Sequence, residues 1–94
     1  MKAQDYVTQY LPEITEATDE KTLKNIASTI FVAFLDDTAK LVKSRNALSD
    51  DAIISIINEE SDKWHKFCKL INDEQTRITF DETMFINYWK ERLE

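Results

Sequence analysis

The chain has 94 residues, 12 basic and 18 acidic side chains, a net charge of −6, one cysteine and no glycine. This length predicts a single domain over residues 1–94, and a lone cysteine excludes an internal disulfide. The absence of glycine excludes P-loops and dinucleotide-binding loops and disfavours a many-turned β-sandwich. The acidic balance argues against direct binding of DNA or RNA.

The sequence shows no sign of membrane insertion or export. Its most apolar stretch, Ile30–Leu35, has six residues, whereas a membrane span needs about 20. The first residues lack the long apolar run of a secretory signal peptide. We therefore expect a cytoplasmic protein with no membrane partner.

Hydrophobic periodicity predicts helices throughout the first half of the chain. Tyr6, Val7 and Tyr10 lie at helical spacing and predict a first helix over residues 3–11. Pro12 should end it, because proline disfavours the helical conformation of the residue before it, leaving a short turn or helix at 12–17. Acidic residues at 19–20 then predict the start of a long second helix, over about 19–45.

Two further helices are predicted in the second half. Ser49, followed by two aspartates, predicts the cap of a third helix over about 50–73. Residues 77–80 alternate polar and apolar and predict a brief extended segment, too short for a sheet. Thr79 with Glu82 forms a capping-box pattern, with Asp81 as a competing cap, for a last helix over about 81–93.

The predicted fold class is all-α: a small bundle of about four helices with a central long helix (about 19–45) and no significant sheet. Ile30–Leu35 is apolar on every side, which predicts that this helix is buried on every side. Short connections predict antiparallel neighbours.

One helix carries three residue types that can bind zinc, in the pattern Asp62-x-x-His65-x-x-Cys68. Zinc accepts carboxylate, imidazole and thiolate ligands. However, Asp62 and Cys68 lie about 120° apart around a helix, and the chain has no other histidine or cysteine. We expect a buried cysteine and a boundary histidine, with no metal, cofactor or catalytic residue.

Two pairs of acidic residues have the i,i+3 spacing of magnesium ligands, Glu13-x-x-Glu16 and Glu59-x-x-Asp62. They resemble the carboxylate pairs of all-helical nucleotide pyrophosphatases, which implies a magnesium-dependent pyrophosphohydrolase as one alternative. In that family the pairs lie on adjacent helices and much closer in sequence. Solvated helix surface is therefore the expected role, and we predict that the chain is not an enzyme.

Lys63, Lys66 and Lys69 predict a slanting basic ridge on one helix. A small phosphate or an acidic partner could bind there. The expected role is nevertheless ordinary helix surface, balanced by Glu59, Glu60 and Asp62. Glu59 with Lys63 and Asp62 with Lys66 have the i,i+4 spacing of helix ion pairs.

The last helix presents a broad apolar face. Its members are Met84, Phe85, Tyr88 and Trp89. Such a face is wider than one neighbouring helix usually covers, and aromatic residues and methionine are enriched at protein interfaces. Most aromatic residues in this part of the chain should be core and dock the last helix on the third. The width of the face also makes it a candidate protein interface, with an unidentified protein or a second copy of the chain as partner. The leading hypothesis is a non-catalytic protein-interaction module or small accessory protein.

The second half of the chain is the more acidic. Residues 48–94 hold eleven acidic and six basic side chains, a difference of −5. The candidate acidic surface consists of Asp50, Asp51, Glu59, Glu60 and Asp62. It suggests a second hypothesis, an inhibitor that occupies the basic groove of a nucleic-acid-binding host protein. The pattern Glu59-Glu60-x-x-Lys63-Trp64-x-x-Phe67 resembles small accessory proteins of phages or mobile elements.

Overall fold

The computed structural model describes residues 2–44, 49–75 and 77–93. Within these ranges it contains four helices and no strand: α1 (Ala3–Glu16), α2 (Glu20–Ser44), α3 (Asp50–Glu74) and α4 (Met84–Leu93). The predicted all-α bundle is confirmed. The predicted end of the second helix at Arg45 and the connection at 46–48 lie outside the described residues. No helix within them is long and apolar enough to cross a membrane.

Side-chain caps begin α2 and α3 where the sequence predicts. Asp19 Oδ1 accepts the Thr22 N–H at 2.7 Å, and this hydrogen bond lowers the pKa of Asp19. Ser49 Oγ accepts the Ala52 N–H at 3.3 Å. Both caps satisfy N–H groups that have no carbonyl partner within their own helix. Local sequence therefore fixes these two helix starts.

The start of α4 differs from the predicted one. The helix begins at Met84, and Asp81 is the cap, with its Oδ1 accepting the Thr83 N–H at 2.9 Å. The capping box of Thr79 and Glu82 is therefore wrong. Residues 77–80 form bends and irregular backbone rather than a strand.

Pro12 does not end the first helix, which continues to Glu16. A proline inside a helix costs about 3 kcal/mol. Three features of the structure offset that cost. Both Pro12 and Thr8, whose carbonyl loses its partner, are exposed to water. Ile14 beyond the proline is fully buried, a contribution of about 1.5–3 kcal/mol. The guanidinium of Arg77 also donates to the Ile14 carbonyl at 2.8 Å, which stabilises the end of α1.

Helices that follow each other in the chain pack antiparallel, and α3 packs against each of the other three. The non-consecutive pair α1 and α3 runs in the same direction, since early residues of α1 lie beside the middle of α3 and later ones beside its end. Tyr6 near the start of α1 meets Asp37 in the second half of α2, so α1 and α2 run in opposite directions. His65 of α3 lies beside Glu82, before α4, while Ile86 of α4 shares a groove with earlier residues of α3. Consequently α4 runs back along α3.

The core is largely aromatic. Trp64 contacts rings from three directions, with Phe34 of α2 at a centroid distance of 4.9 Å, Phe67 of α3 at 5.6 Å and Phe85 of α4 at 6.4 Å. The Trp64 Nε1–H donates to the Asp81 carbonyl at 2.9 Å. A buried tryptophan whose polar atom is satisfied contributes both area and orientation. Trp64 thus connects α2, α3 and the segment before α4.

The prediction that Ile30–Leu35 is buried on every side is wrong. Ile30 and Phe34 are fully buried, but Val32 between them is 59% exposed. Residues two apart lie about 200° apart around a helix, so Val32 faces away from Ile30 and Phe34. In a bundle of four helices a single helix meets neighbours on part of its circumference only. The structure therefore leaves one apolar edge of α2 in solvent.

Candidate binding surfaces

The three potential zinc ligands are not brought together. Cys68 is fully buried, and burial raises the pKa of its thiol to about 12, with a smaller contribution from the Glu82 carboxylate. His65 is exposed, and its Nδ1 lies 3.8 Å from Glu82 Oε1. Among the described residues, no group of three His, Cys, Asp or Glu can hold a metal ion. A thiol with a raised pKa is also a poor nucleophile.

The two carboxylate pairs lie at different ends of α1. Glu59 and Asp62 line a groove beside Lys2 and Gln4, before and within the first turn of this helix. Glu13 and Glu16 lie in its last turns, about 14–18 Å further along the axis. This separation does not suit ligands of one magnesium ion.

A partly buried hydrogen bond connects α1 to α2. The Tyr6 hydroxyl donates to the Asp37 carboxylate, while the Tyr6 ring stacks on Phe34 at a centroid distance of 4.0 Å. Burial, and then the hydrogen bond to Asp37, raises the pKa of Tyr6. Below Asp37 on α2, the buried Thr38 hydroxyl donates to the Phe34 carbonyl at 2.9 Å. The hydrogen bond between Tyr6 and Asp37 fixes the position of α1 along α2.

Glu60 is the residue whose role the sequence analysis missed. It is only 6% exposed, so its placement in the candidate acidic surface is wrong. Lys63 Nζ lies 2.8 Å from its Oε2 and 3.0 Å from its Oε1. The predicted pair of Glu59 with Lys63 is therefore replaced by one with Glu60. A signal was present, since Glu60 follows Ile56 and precedes Trp64 at steps of four on the buried face of α3.

The remaining acidic residues of that candidate surface are exposed. They are Asp50, Asp51, Glu59 and Asp62. Two of them, Glu59 and Asp62, share a groove with four lysines. Basic side chains therefore interrupt the acidic surface in the middle of α3.

This groove, which we call the α1–α3 groove, has a volume of about 650 Å³. It lies between the start of α1 and the middle of α3. Its lining residues are Lys2, Ala3, Gln4, Glu59, Asp62, Lys63, Lys66, Lys69 and Leu70. The basic ridge predicted from the sequence thus lies along one wall, and Lys2 adds a fourth cation from the other helix.

The apolar face predicted on α4 divides into buried and exposed members. Phe85 is fully buried and belongs to the core, so it offers no surface to a partner. Met84, Tyr88 and Trp89 are partly exposed. Trp89 packs against Phe85 at a centroid distance of 6.3 Å, and its indole N–H has no hydrogen-bond partner among the described residues.

Tyr88 is held between two neighbours. Its ring meets the edge of Phe31 of α2 at a centroid distance of 5.8 Å. The Arg92 guanidinium lies 3.3 Å above the ring and donates to the Tyr88 carbonyl at 3.2 Å. Cation–π contact of this kind contributes about 0.5–1 kcal/mol at an exposed site. Tyr88 is therefore fixed in orientation while part of it still faces solvent.

A second groove, of about 450 Å³, runs between α2 and the start of α4. Ala27, Phe31 and Met84 contribute its apolar wall. Val32 lies one turn from Ser28, another lining residue, and extends this apolar surface. We call the set of Ala27, Phe31, Val32, Met84 and Tyr88 the α2–α4 face. The sequence analysis identified only its α4 half, because the exposure of α2 depends on which helices cover it.

Comparison with known proteins adds no relative from which a function could be transferred. The chain matches no protein-family model, no curated protein and no solved structure.

Proposed function

We propose that this chain is a non-catalytic protein-interaction module that associates with a second copy of itself through the α2–α4 face. The observation that carries the proposal is the groove of about 450 Å³ between α2 and α4, with Phe31 and Met84 partly exposed beside it. Apolar grooves with aromatic and methionine walls are typical of surfaces that bind another protein.

The apolar surface continues beyond the groove. Val32 is 59% exposed, the highest value among the exposed large apolar side chains of the described residues. Tyr88 is already immobilised by Phe31 and Arg92, so it loses little side-chain entropy when a partner covers it. Prearranged aromatic side chains of this kind dominate many interfaces.

Charge favours a second copy as the partner. The chain carries a net charge of −6, so two copies repel each other unless they meet where the local charge is balanced. Around the α2–α4 face the charges have opposite signs. Lys24 and Asp81 both line the groove, and Lys40 Nζ lies 3.0 Å from Asp36 Oδ2. A two-fold dimer places the same surface on both sides, which suits a face of mixed charge.

A non-catalytic role is supported by the state of the reactive side chains. Cys68 is buried, with a pKa raised to about 12, and the single histidine is exposed beside one carboxylate. Neither lies next to a base that would activate a nucleophile. A buried free thiol also suits the cytoplasmic location that we propose.

Sedimentation equilibrium over micromolar to millimolar concentrations tests the proposal. We expect the wild-type mass to rise toward that of a dimer. Val32→Glu adds a carboxylate to the α2–α4 face and should weaken the dimer by more than about tenfold. Leu70→Glu is the matched control, since Leu70 is 38% exposed on the α1 side of α3. It should leave the dimer unchanged.

Two results would contradict the proposal. One is a wild-type chain that remains monomeric at millimolar concentration. The other is a dimer that Val32→Glu and Leu70→Glu weaken equally, while both variants keep the circular dichroism spectrum of the folded chain.

A further inference from the structure

We propose that the α1–α3 groove is a binding site for a small organic phosphate, a molecule with an apolar body and at least two phosphate groups. This inference is independent of the proposed dimer, because the groove lies on the side of α3 that faces α1, away from the α2–α4 face. Its volume of about 650 Å³ falls within the range of about 300–1,000 Å³ typical of small-molecule sites.

The charge of the groove is opposite to that of the chain. Four lysines and two carboxylates line it, and Glu60 pairs with one of these lysines, Lys63. The local excess is therefore one positive charge on a chain of net charge −6. Lysine ammonium groups are frequent phosphate ligands in proteins. An anion approaching this acidic protein therefore meets a local field of favourable sign at this groove.

Most of these cations are not neutralised within the chain. Lys63 is paired with the buried Glu60 at 2.8 Å. For Lys2, Lys66 and Lys69, the described residues contain no carboxylate within ion-pair distance. The predicted pair of Asp62 with Lys66 is thus not formed in the structure. Three ammonium groups remain available to an external anion.

The positions of the lysines suit more than one phosphate. Lys63, Lys66 and Lys69 follow each other at steps of about 4.5 Å along α3, and Lys2 approaches from the opposite wall. Anions spaced along the groove can therefore be contacted from both helices.

The apolar lining residues of the groove favour a ligand that carries an apolar portion beside its phosphates. Ala3 lies in the floor of the groove, and Leu70 is 38% exposed there. A free phosphate ion gains nothing from an apolar floor, whereas a ring or alkyl portion of an organic phosphate buries area against it. We therefore expect an organic diphosphate to bind more tightly than inorganic pyrophosphate.

Titration of the full chain with adenosine diphosphate and with pyrophosphate, followed by amide chemical shifts at constant ionic strength, tests the site. We expect saturable shifts confined to residues 2–4 and 59–70, with tighter binding of adenosine diphosphate. Lys66→Gln combined with Lys69→Gln should weaken binding by more than about tenfold. Lys21→Gln combined with Lys90→Gln removes the same charge from exposed positions elsewhere and should leave affinity within about twofold.

Several results would overturn the proposal. They are the absence of saturable shifts, an equal loss of affinity in both double variants, and equal affinity for pyrophosphate and adenosine diphosphate. Binding of a hexaglutamate peptide without binding of either phosphate would assign the groove to an acidic protein segment instead.

Discussion

The two sides of α3 are built from different chemistry. On the α1 side, Tyr6 of α1 donates to Asp37 of α2, and Lys63 pairs with the buried Glu60 one turn earlier on α3. On the α4 side, Trp64 packs against Phe80 and Phe85. Polar contacts need specific geometry, whereas apolar contacts depend chiefly on buried area. Both sides bury apolar side chains, with Tyr6 and Ile14 on the α1 side and Phe80 and Phe85 on the α4 side. The α1 side adds polar contacts between side chains, which restrict how the helices align.

The two exposed grooves also differ in chemistry, one being lined by lysines and the other by apolar side chains. The α1–α3 groove has four lysines in its wall, and the groove between α2 and α4 is lined by Ala27, Phe31 and Met84. Each surface extends the chemistry of the interface beside it. This is why we assign an anionic small molecule to one groove and a protein surface to the other.

The largest effect should come from the α4 side. Trp64→Ala removes a side chain with no exposed surface that touches α2, α3 and α4. We expect a loss of about 3–5 kcal/mol in the free energy of unfolding, measured by urea denaturation. Trp64→Phe keeps a ring but loses the hydrogen bond to the Asp81 carbonyl, and should cost about 1–3 kcal/mol. A loss below about 1 kcal/mol for Trp64→Ala would contradict the central position of Trp64 in the core.

On the α1 side we expect an asymmetry between the two members of the ion pair. Lys63→Ala leaves the Glu60 carboxylate buried and unpaired and should cost about 3 kcal/mol. Glu60→Gln removes the buried charge and leaves a lysine that can turn toward water, because the Lys63 side chain is 21% exposed. It should cost about 1 kcal/mol. Equal losses in the two variants, by urea denaturation, would contradict the burial of Glu60.

The dependence of the free energy of unfolding on alkaline pH tests a buried group on each side, Cys68 and Tyr6. Burial raises the pKa of Cys68 from 9.0 to about 12, and burial with the Asp37 hydrogen bond raises that of Tyr6 above 10.0. Groups with raised folded-state pKa values stabilise the fold fully below their unfolded pKa. That contribution declines as pH rises toward the folded value. We expect constant stability up to about pH 8 and a loss on the order of 2 kcal/mol by about pH 11.

Variants separate the two contributions to this loss. Cys68→Ala should reduce the alkaline slope on the α4 side, and Tyr6→Phe should reduce it on the α1 side, both measured from urea midpoints at each pH. An unchanged slope in both variants would show that neither buried group controls the alkaline transition.

The sequence predicted the helical elements well because the signals are local. Ser49 and Asp19 act on N–H groups three residues away. Pro12 shows the limit of local rules, since the burial of Ile14 and the contact from Arg77, far along the chain, keep the helix intact.

The candidate surfaces were less predictable. The sequence analysis identified the lysine ridge and the α4 half of the apolar face from their spacing. It could not place Lys2 opposite the ridge or Phe31 beside Tyr88, because those contacts join residues more than fifty positions apart. It also included Phe85 in the interface, although the packing of α4 on Trp64 buries it.

The sequence by itself determined that this chain is an all-helical bundle without glycine-dependent phosphate loops, with caps at Asp19 and Ser49. Backbone hydrogen bonds and caps act over three or four residues, so composition and spacing suffice to predict them. Only the tertiary structure decided that Val32 is exposed while Phe34 is buried, and that Glu60 is buried beside the exposed Glu59. Burial depends on which distant helix covers a given face. Periodicity places Glu60 on the same face as Ile56 and Trp64, but it does not show which helix covers that face.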